Sequence, residues 1–192
     1  RLLESARQMA GACQRHIPTA SNPGAYLGAT MGYLAERGHD KVCLVASPQI
    51  ASFGLWAEQL IAESTGKEQS GIVPVAHVIP ADPRNFDDDQ VFVYLRLDGP
   101  ETELDRQMDA LTLAGLPTLT LNLPDAYALG GEFFRWEFAT AVAGHLMHIN
   151  PFDQPNVRES KENTQRLLDY YREHGKIPEE QPVLEEGGLK LY

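Results

Sequence analysis

Four apolar runs, Lys41 to Ala46, Ile72 to Ile79, Val91 to Leu97 and Thr118 to Leu121, punctuate this chain, and the segments around them constrain its fold more than any other feature. Ser52 to Thr65 and Glu101 to Ala114 carry helical spacing, and Gly66, Gly71 and Pro80 mark breaks. Strands separated by helices pair in parallel through right-handed crossovers, and a parallel sheet needs cover on both faces. The expected class is therefore α/β: three α/β/α layers, with a mainly parallel sheet between helices. In such sheets ligands lie at the carboxyl ends of the strands.

The flanking segments are helical. Leu2, Leu3, Ala6, Met9, Ala10 and Cys13 recur at helical spacing, and Asn22-Pro23 reads as a cap followed by a first-turn proline, opening a helix to about Gly38. Gly130 to His148 reads as a largely buried helix, with Trp136, Phe133, Phe134 and Phe138 packed on the sheet; the sharper alternative is a subunit or intersubdomain interface whose surface Arg135, Glu132 and Glu137 line, and exposed pairing of those charges is equally consistent. After Pro155 a last helix runs to about His174, and residues 176–192 read as an extended tail. The expected organisation is one domain over 1–175 plus that tail, the whole a piece of a longer protein.

At 192 residues the chain has length for one real core. Its net charge of −11 and lack of a basic run argue against nucleic acid, which is bound through clustered Lys and Arg. Cys13 and Cys43 form neither a disulfide framework nor a C-x-x-C pair, which fits a reducing cytoplasm. The greasiest stretch, Phe133 to Ile149, is interrupted by Arg135, Glu137 and His145, so neither membrane insertion nor export is indicated.

Two segments carry candidate chemistry. In Phe152 to Lys161, Gln154 and Lys161 are seven residues apart, two helical turns. Pro155 suits the first helical position, which leaves the N–H groups of Asn156, Val157 and Arg158 free to face an anion. Lys161 leans back toward Gln154. The plain alternative is a solvated helix bearing an ordinary lysine. In the second segment, Trp56, Leu60 and Glu63 follow one stripe, which places Glu63 on an apolar face in the last turn before Gly66, an expected left-handed cap. Burial and the helix dipole would both raise its pKa and suit it to proton transfer near neutral pH. The plain alternative is a helix-end glutamate bonded to Ser64, Thr65 or Lys67.

Phe-Asp-Gln-x-x-Val-x-x-x-Lys, from Phe152 to Lys161, resembles the carboxyl-terminal signature of phosphoglucose isomerases, and Glu63-Ser64-Thr65-Gly66-Lys67 is similar to their Glu-Ser-x-Gly-Lys segment. The resemblance implies a sugar isomerase (SIS) fold, here the second SIS subdomain. It implies Glu63 as the acid/base that moves a proton between C1 and C2 of a sugar phosphate through a cis-enediol. It implies Lys161 as an aid to ring opening and binding, and Gln154 as a substrate contact, with no metal or organic cofactor. Gly130-Gly-Glu-Phe-Phe-Arg-Trp-Glu-Phe-Ala-Thr-Ala and the tail through Tyr192 look like the version in bacterial proteins that fuse a transaldolase to the isomerase. The partners so implied are the sugar-phosphate substrate, a first SIS subdomain and a transaldolase domain of the same chain, and a second copy in a homo-oligomer.

The chain departs from that family in three places. The Gly-Gly-Arg segment and the Ser/Thr-rich phosphate loop are absent, and Asp98-Gly99-Pro100 stands where Gly-Gln-His-Ala-Phe usually follows a strand. The ring-opening histidine is thus unassigned, and this piece alone is expected to be inactive. A non-catalytic SIS module that senses a sugar phosphate, and a phosphomannose or dual-specificity isomerase, are the competing functions. His145, His148 and Asp153 permit a metal on spacing, but a core histidine and an exposed one account for them as well, and Asp87-Asp88-Asp89 reads as a solvated turn.

Overall fold

In the computed structural model, which describes residues 1–67, 70–153, 155–178 and 182–191, all four apolar runs form strands of one sheet. They are β1 (Lys41–Ala46), β2 (Val73–Val75), β3 (Gln90–Leu97) and β4 (Thr118–Leu123). The helices are α1 (Leu2–Ala12), α2 (Pro23–Ala35), α3 (Phe53–Thr65), α4 (Glu103–Leu113), α5 (Leu129–Leu146) and α6 (Pro155–His174). The strand order is β2-β1-β3-β4 with every pair parallel. From β1 the chain steps outward to β2, and from β3 outward to β4, so the topological switch point lies between β1 and β3.

Alternation along the central strands sorts their side chains to two faces. Val42 and Leu44 of β1, with Val93 and Leu95 of β3, pack under α2, α3 and α5, where Met31, Phe53, Ile61 and Trp136 fill the main core. Cys43, Val45, Phe92 and Tyr94 face the other way, onto Met108 and Leu111 of α4. This is the three-layer arrangement expected from the alternation. Strand β2 is shorter than the apolar run suggests. Pro74 has no N–H to donate, Val73 and Val75 are exposed at the sheet edge, and His77 turns to φ 56° just beyond.

Helix α2 begins as read, with Asn22 Oδ1 accepting from Ala25 N at 2.9 Å. It lies against α5 backbone to backbone. A Cβ at Gly28 would stand 2.3 Å from the carbonyl oxygen of Ala139, so only glycine permits this approach.

The chain divides into two compact units, Arg1–Asp153 and Gln154–Tyr192. In the second, α6 starts at Pro155 and ends at His174 as expected. Part of the tail read as extended is a hairpin, β5 (Leu184–Glu186) antiparallel to β6 (Leu189–Leu191). Its turn residues Gly187 and Gly188 have φ of 61° and 85°, which glycine adopts without strain. Among the described residues no helix is long and apolar enough to cross a membrane.

Candidate functional site

Helix α3 buries Phe53, Gly54, Ala57, Ile61 and Thr65, a stripe at helical spacing. Glu63 is off that stripe. It is exposed, and its Oε1 accepts from Gln59 Nε2 at 3.1 Å rather than bonding Ser64, Thr65 or Lys67. The apolar burial expected of Glu63 is therefore not met. Trp56 and Leu60 are half-buried on the flank of the helix, and Glu63 continues that flank into solvent. Gly66 is also not a left-handed cap. At φ −71° and ψ 73° it centres a three-residue turn in which Lys67 N donates to Thr65 O at 2.8 Å. Because β1 and β2 are parallel, α3 runs back between them, and its end lies at the amino edge of the sheet, where Thr65 Oγ1 accepts from Ile72 N at 3.0 Å.

Lys67 is the buried cation of this region, 6% exposed. Its Nζ donates to Asn150 O at 2.7 Å, to Asp153 Oδ1 at 2.8 Å and to Asp153 O. Its backbone is paired with Ser70, N to O at 3.1 Å and O to N at 2.8 Å. The acceptors belong to a loop that folds over the end of α5. His148 takes φ 57° after that helix, Ile149 N donates back to Gly144 O at 3.0 Å, and Pro151 packs against Gly144. Asn150 Oδ1 then accepts from Phe152 N at 3.1 Å. Lys67, of the Glu-Ser-Thr-Gly-Lys segment, thus holds Asp153, of the Phe-Asp-Gln segment.

Of the other expected site residues, Lys161 is exposed in the second turn of α6. Gln154 lies outside the described residues. Glu63 belongs to the first compact unit and Lys161 to the second.

The carboxyl edge, where the sheet topology directs ligands, has its own hollow of about 510 Å³ at the switch point, lined by Ser47, Tyr94, Asp98 and Thr102 among others. Ser47 Oγ accepts from Leu97 N at 3.0 Å and braces the end of β3. The nearby cation, Arg96, is held by Asp105, Nε to Oδ1 at 2.6 Å. Asp98 and Glu103 leave the hollow acidic, a poor seat for a phosphate. Glu63 is at the opposite edge.

Three further groups bear on the chemistry of the chain, and one of them, Glu132 with Arg135, departs from expectation. His148 terminates a helix and Asp153 is engaged by Lys67, so the spacing that permits a metal is used structurally; among the described residues no three His, Cys, Asp or Glu side chains converge as metal ligands. Glu132 and Arg135 do not line an exposed surface. Glu132 is 2% exposed, with Oε1 3.3 Å from Arg135 Nη2, and burial pushes its carboxyl up against the pull of Arg135 and the Trp136 N–H. Cys13 and Cys43 are free and buried, and burial pushes the Cys43 thiol up to about 11.

No family model matches the chain. Among curated proteins it is 35% identical over 158 residues to the glucose-6-phosphate isomerase of Pediococcus pentosaceus, covering 63% of this chain and 35% of that protein. It is 31% identical over 158 residues to that of Lactobacillus helveticus, with the same coverage. It is 29% identical over 174 residues to that of Streptococcus pyogenes, covering 71% of this chain and 38% of the relative. The similarity is to glucose-6-phosphate isomerases. The chain spans about a third of the length of these isomerases. In fold it is similar to a hypothetical protein from Thermus thermophilus, with a TM-score of 0.74 at 22% identity, covering 87% of this chain and 49% of the other. The sequence reading offered Lys67 only as a partner for Glu63; the signal it held was a lone lysine directly after a helix-ending glycine, with no way to show that it was buried.

Proposed function

We propose that this chain is the carboxyl-terminal part of a glucose-6-phosphate isomerase, an SIS-type subdomain acting on a sugar phosphate in glycolysis and gluconeogenesis. The Glu63 carboxylate takes the proton from C2 of open-chain glucose 6-phosphate and returns it to C1, while a proton passes from O2 to O1 through the cis-enediol, which yields fructose 6-phosphate. Lys161 aids ring opening and orients the ligand, and Gln154 contacts it. Proton transfer through an enediol asks only for a placed base and stabilising donors, so no metal or organic cofactor is invoked. The observation that carries the reading is the bond from Lys67 to Asp153, which ties together the two segments that resemble the isomerases.

The rest of the site belongs to partners in this proposal: a first SIS subdomain supplying the phosphate loop and an arginine, a transaldolase domain of the same cytoplasmic chain linking it to the pentose phosphate pathway, and a second copy in a homo-oligomer. Exposure of Glu63 in this chain supports a site completed by such a partner, since desolvation of the base must then come from outside. The same exposure favours the competing reading of a sugar-phosphate sensor, which has no use for a base. Interconversion of glucose 6-phosphate and fructose 6-phosphate by the full-length protein, with wild-type Glu63 and with Glu63→Gln, separates the two. Turnover that requires Glu63 upholds the enzyme, and absence of turnover with retained ligand binding upholds the sensor.

A further inference from the structure

A buried ammonium is tolerated only when its charge and its three N–H donors are met. Lys67 meets all three, with Asn150 O, Asp153 O and Asp153 Oδ1, and has no donor left for a ligand. Its own backbone is held just as closely, by Thr65 O and by both bonds to Ser70. Thr65 is in turn anchored, its Oγ1 donating to Ile61 O at 2.8 Å and accepting from Ile72 N. A fixed path thus runs from the last turn of α3, which carries Glu63, to Asp153, the residue before Gln154.

We infer that Lys67 is a positioning residue of the isomerase site, which fixes Asp153 and the loop around it relative to the last turn of α3, the turn that carries Glu63. The inference rests on the isomerase reading above. Lys67 touches no substrate in this role; it acts through Asp153. It also explains why a lysine is needed directly after Gly66. The narrow turn there aims the side chain inward, and a Cβ at Gly66 would stand 2.8 Å from Ala62 O.

The test uses the full-length protein, with Lys67→Met, which keeps the length and removes the charge, and Asp153→Asn, which is gentler because the Asp153 side chain is 47% exposed. Misplacement by about 1 Å costs on the order of 100-fold in rate, so kcat for glucose 6-phosphate should fall about 100-fold in Lys67→Met and about tenfold in Asp153→Asn, and the double variant should be no slower than Lys67→Met. Amide hydrogen exchange across residues 150–161 should quicken in both. A role in stability alone would lower the melting temperature and leave kcat of the folded protein intact, and that result would overturn the inference. If Lys67→Met does not fold, Asp153→Asn decides in the same way. If the wild-type protein does not isomerise glucose 6-phosphate, it is the isomerase reading that fails. Exchange then judges the placement by itself: faster exchange upholds it, and unchanged exchange sinks it.

Discussion

Lys67 Nζ and Asp153 Oδ1 lie 2.8 Å apart although 86 residues separate them in the chain. The lysine side chain is 3% exposed and the aspartate side chain 47%, so this ion pair is screened from solvent on one side only. It joins the end of a helix on the amino edge of the sheet to the loop that precedes α6. Glu63, by contrast, has solvent and Gln59 for its surroundings.

Glu63→Gln in the full-length protein should cut isomerisation by about 10² to 10⁴, the range for removal of a general base. The exposed side chain makes one hydrogen bond to Gln59, so the circular dichroism and melting temperature should be close to wild type. A variant that isomerises at the wild-type rate would remove Glu63 from the mechanism.

Gly28→Ala should destabilise the fold by about 1 to 3 kcal/mol, because its methyl group would press on the carbonyl oxygen of Ala139 and force α2 from α5. Gly11→Ala is the natural control. Nothing stands within 4 Å of a Cβ there, and alanine in a helix gains about 0.5 to 1 kcal/mol over glycine. Urea unfolding of both variants should show opposite signs.

The start of α4 should confer sensitivity to acid. Burial pushes the Asp105 carboxyl up, but Arg96 and the backbone N–H and hydroxyl of Thr102 outweigh it and hold the group at about 2. A carboxylate depressed in the folded state stabilises above its unfolded value, about 3.9, and that contribution is lost as pH falls toward the folded one. Melting temperatures should drop between those limits, and Asp105→Asn should flatten this part of the profile. Thr102→Ala, which removes the other half of the reciprocal cap, should cost about 1 kcal/mol at neutral pH.

Glu132 should act with the opposite sign. Its carboxyl is raised by burial, so the fold favours the protonated form, and stability should decline as pH rises above about 4.3, levelling off beyond the folded value. Glu132→Gln should abolish that decline in a series of melting curves. A steeper decline in the variant would mean that the bond to Arg135, not desolvation, dominates.

Periodicity and turn chemistry are local, and what depends on them was legible in the residues. The strand limits of β1, the cap at Asn22, the start of α6 at Pro155 and the parallel α/β class all follow from neighbours within a turn or two. The two candidate segments were visible for the same reason, as short fixed spacings. Burial is different in kind, because it depends on which face of an element meets another. Trp56, Leu60 and Glu63 form a stripe on paper, yet the sheet selects the face of Phe53, Ala57 and Ile61 and leaves Glu63 in water. Glu132, read as a surface charge, went inside, and Lys67 became the buried anchor of a loop 86 residues away. The sequence by itself determined the elements and the residues able to do chemistry; the tertiary structure decided which charges lose their water and which distant segment each one holds, since desolvation and long-range pairing arise only when the layers close.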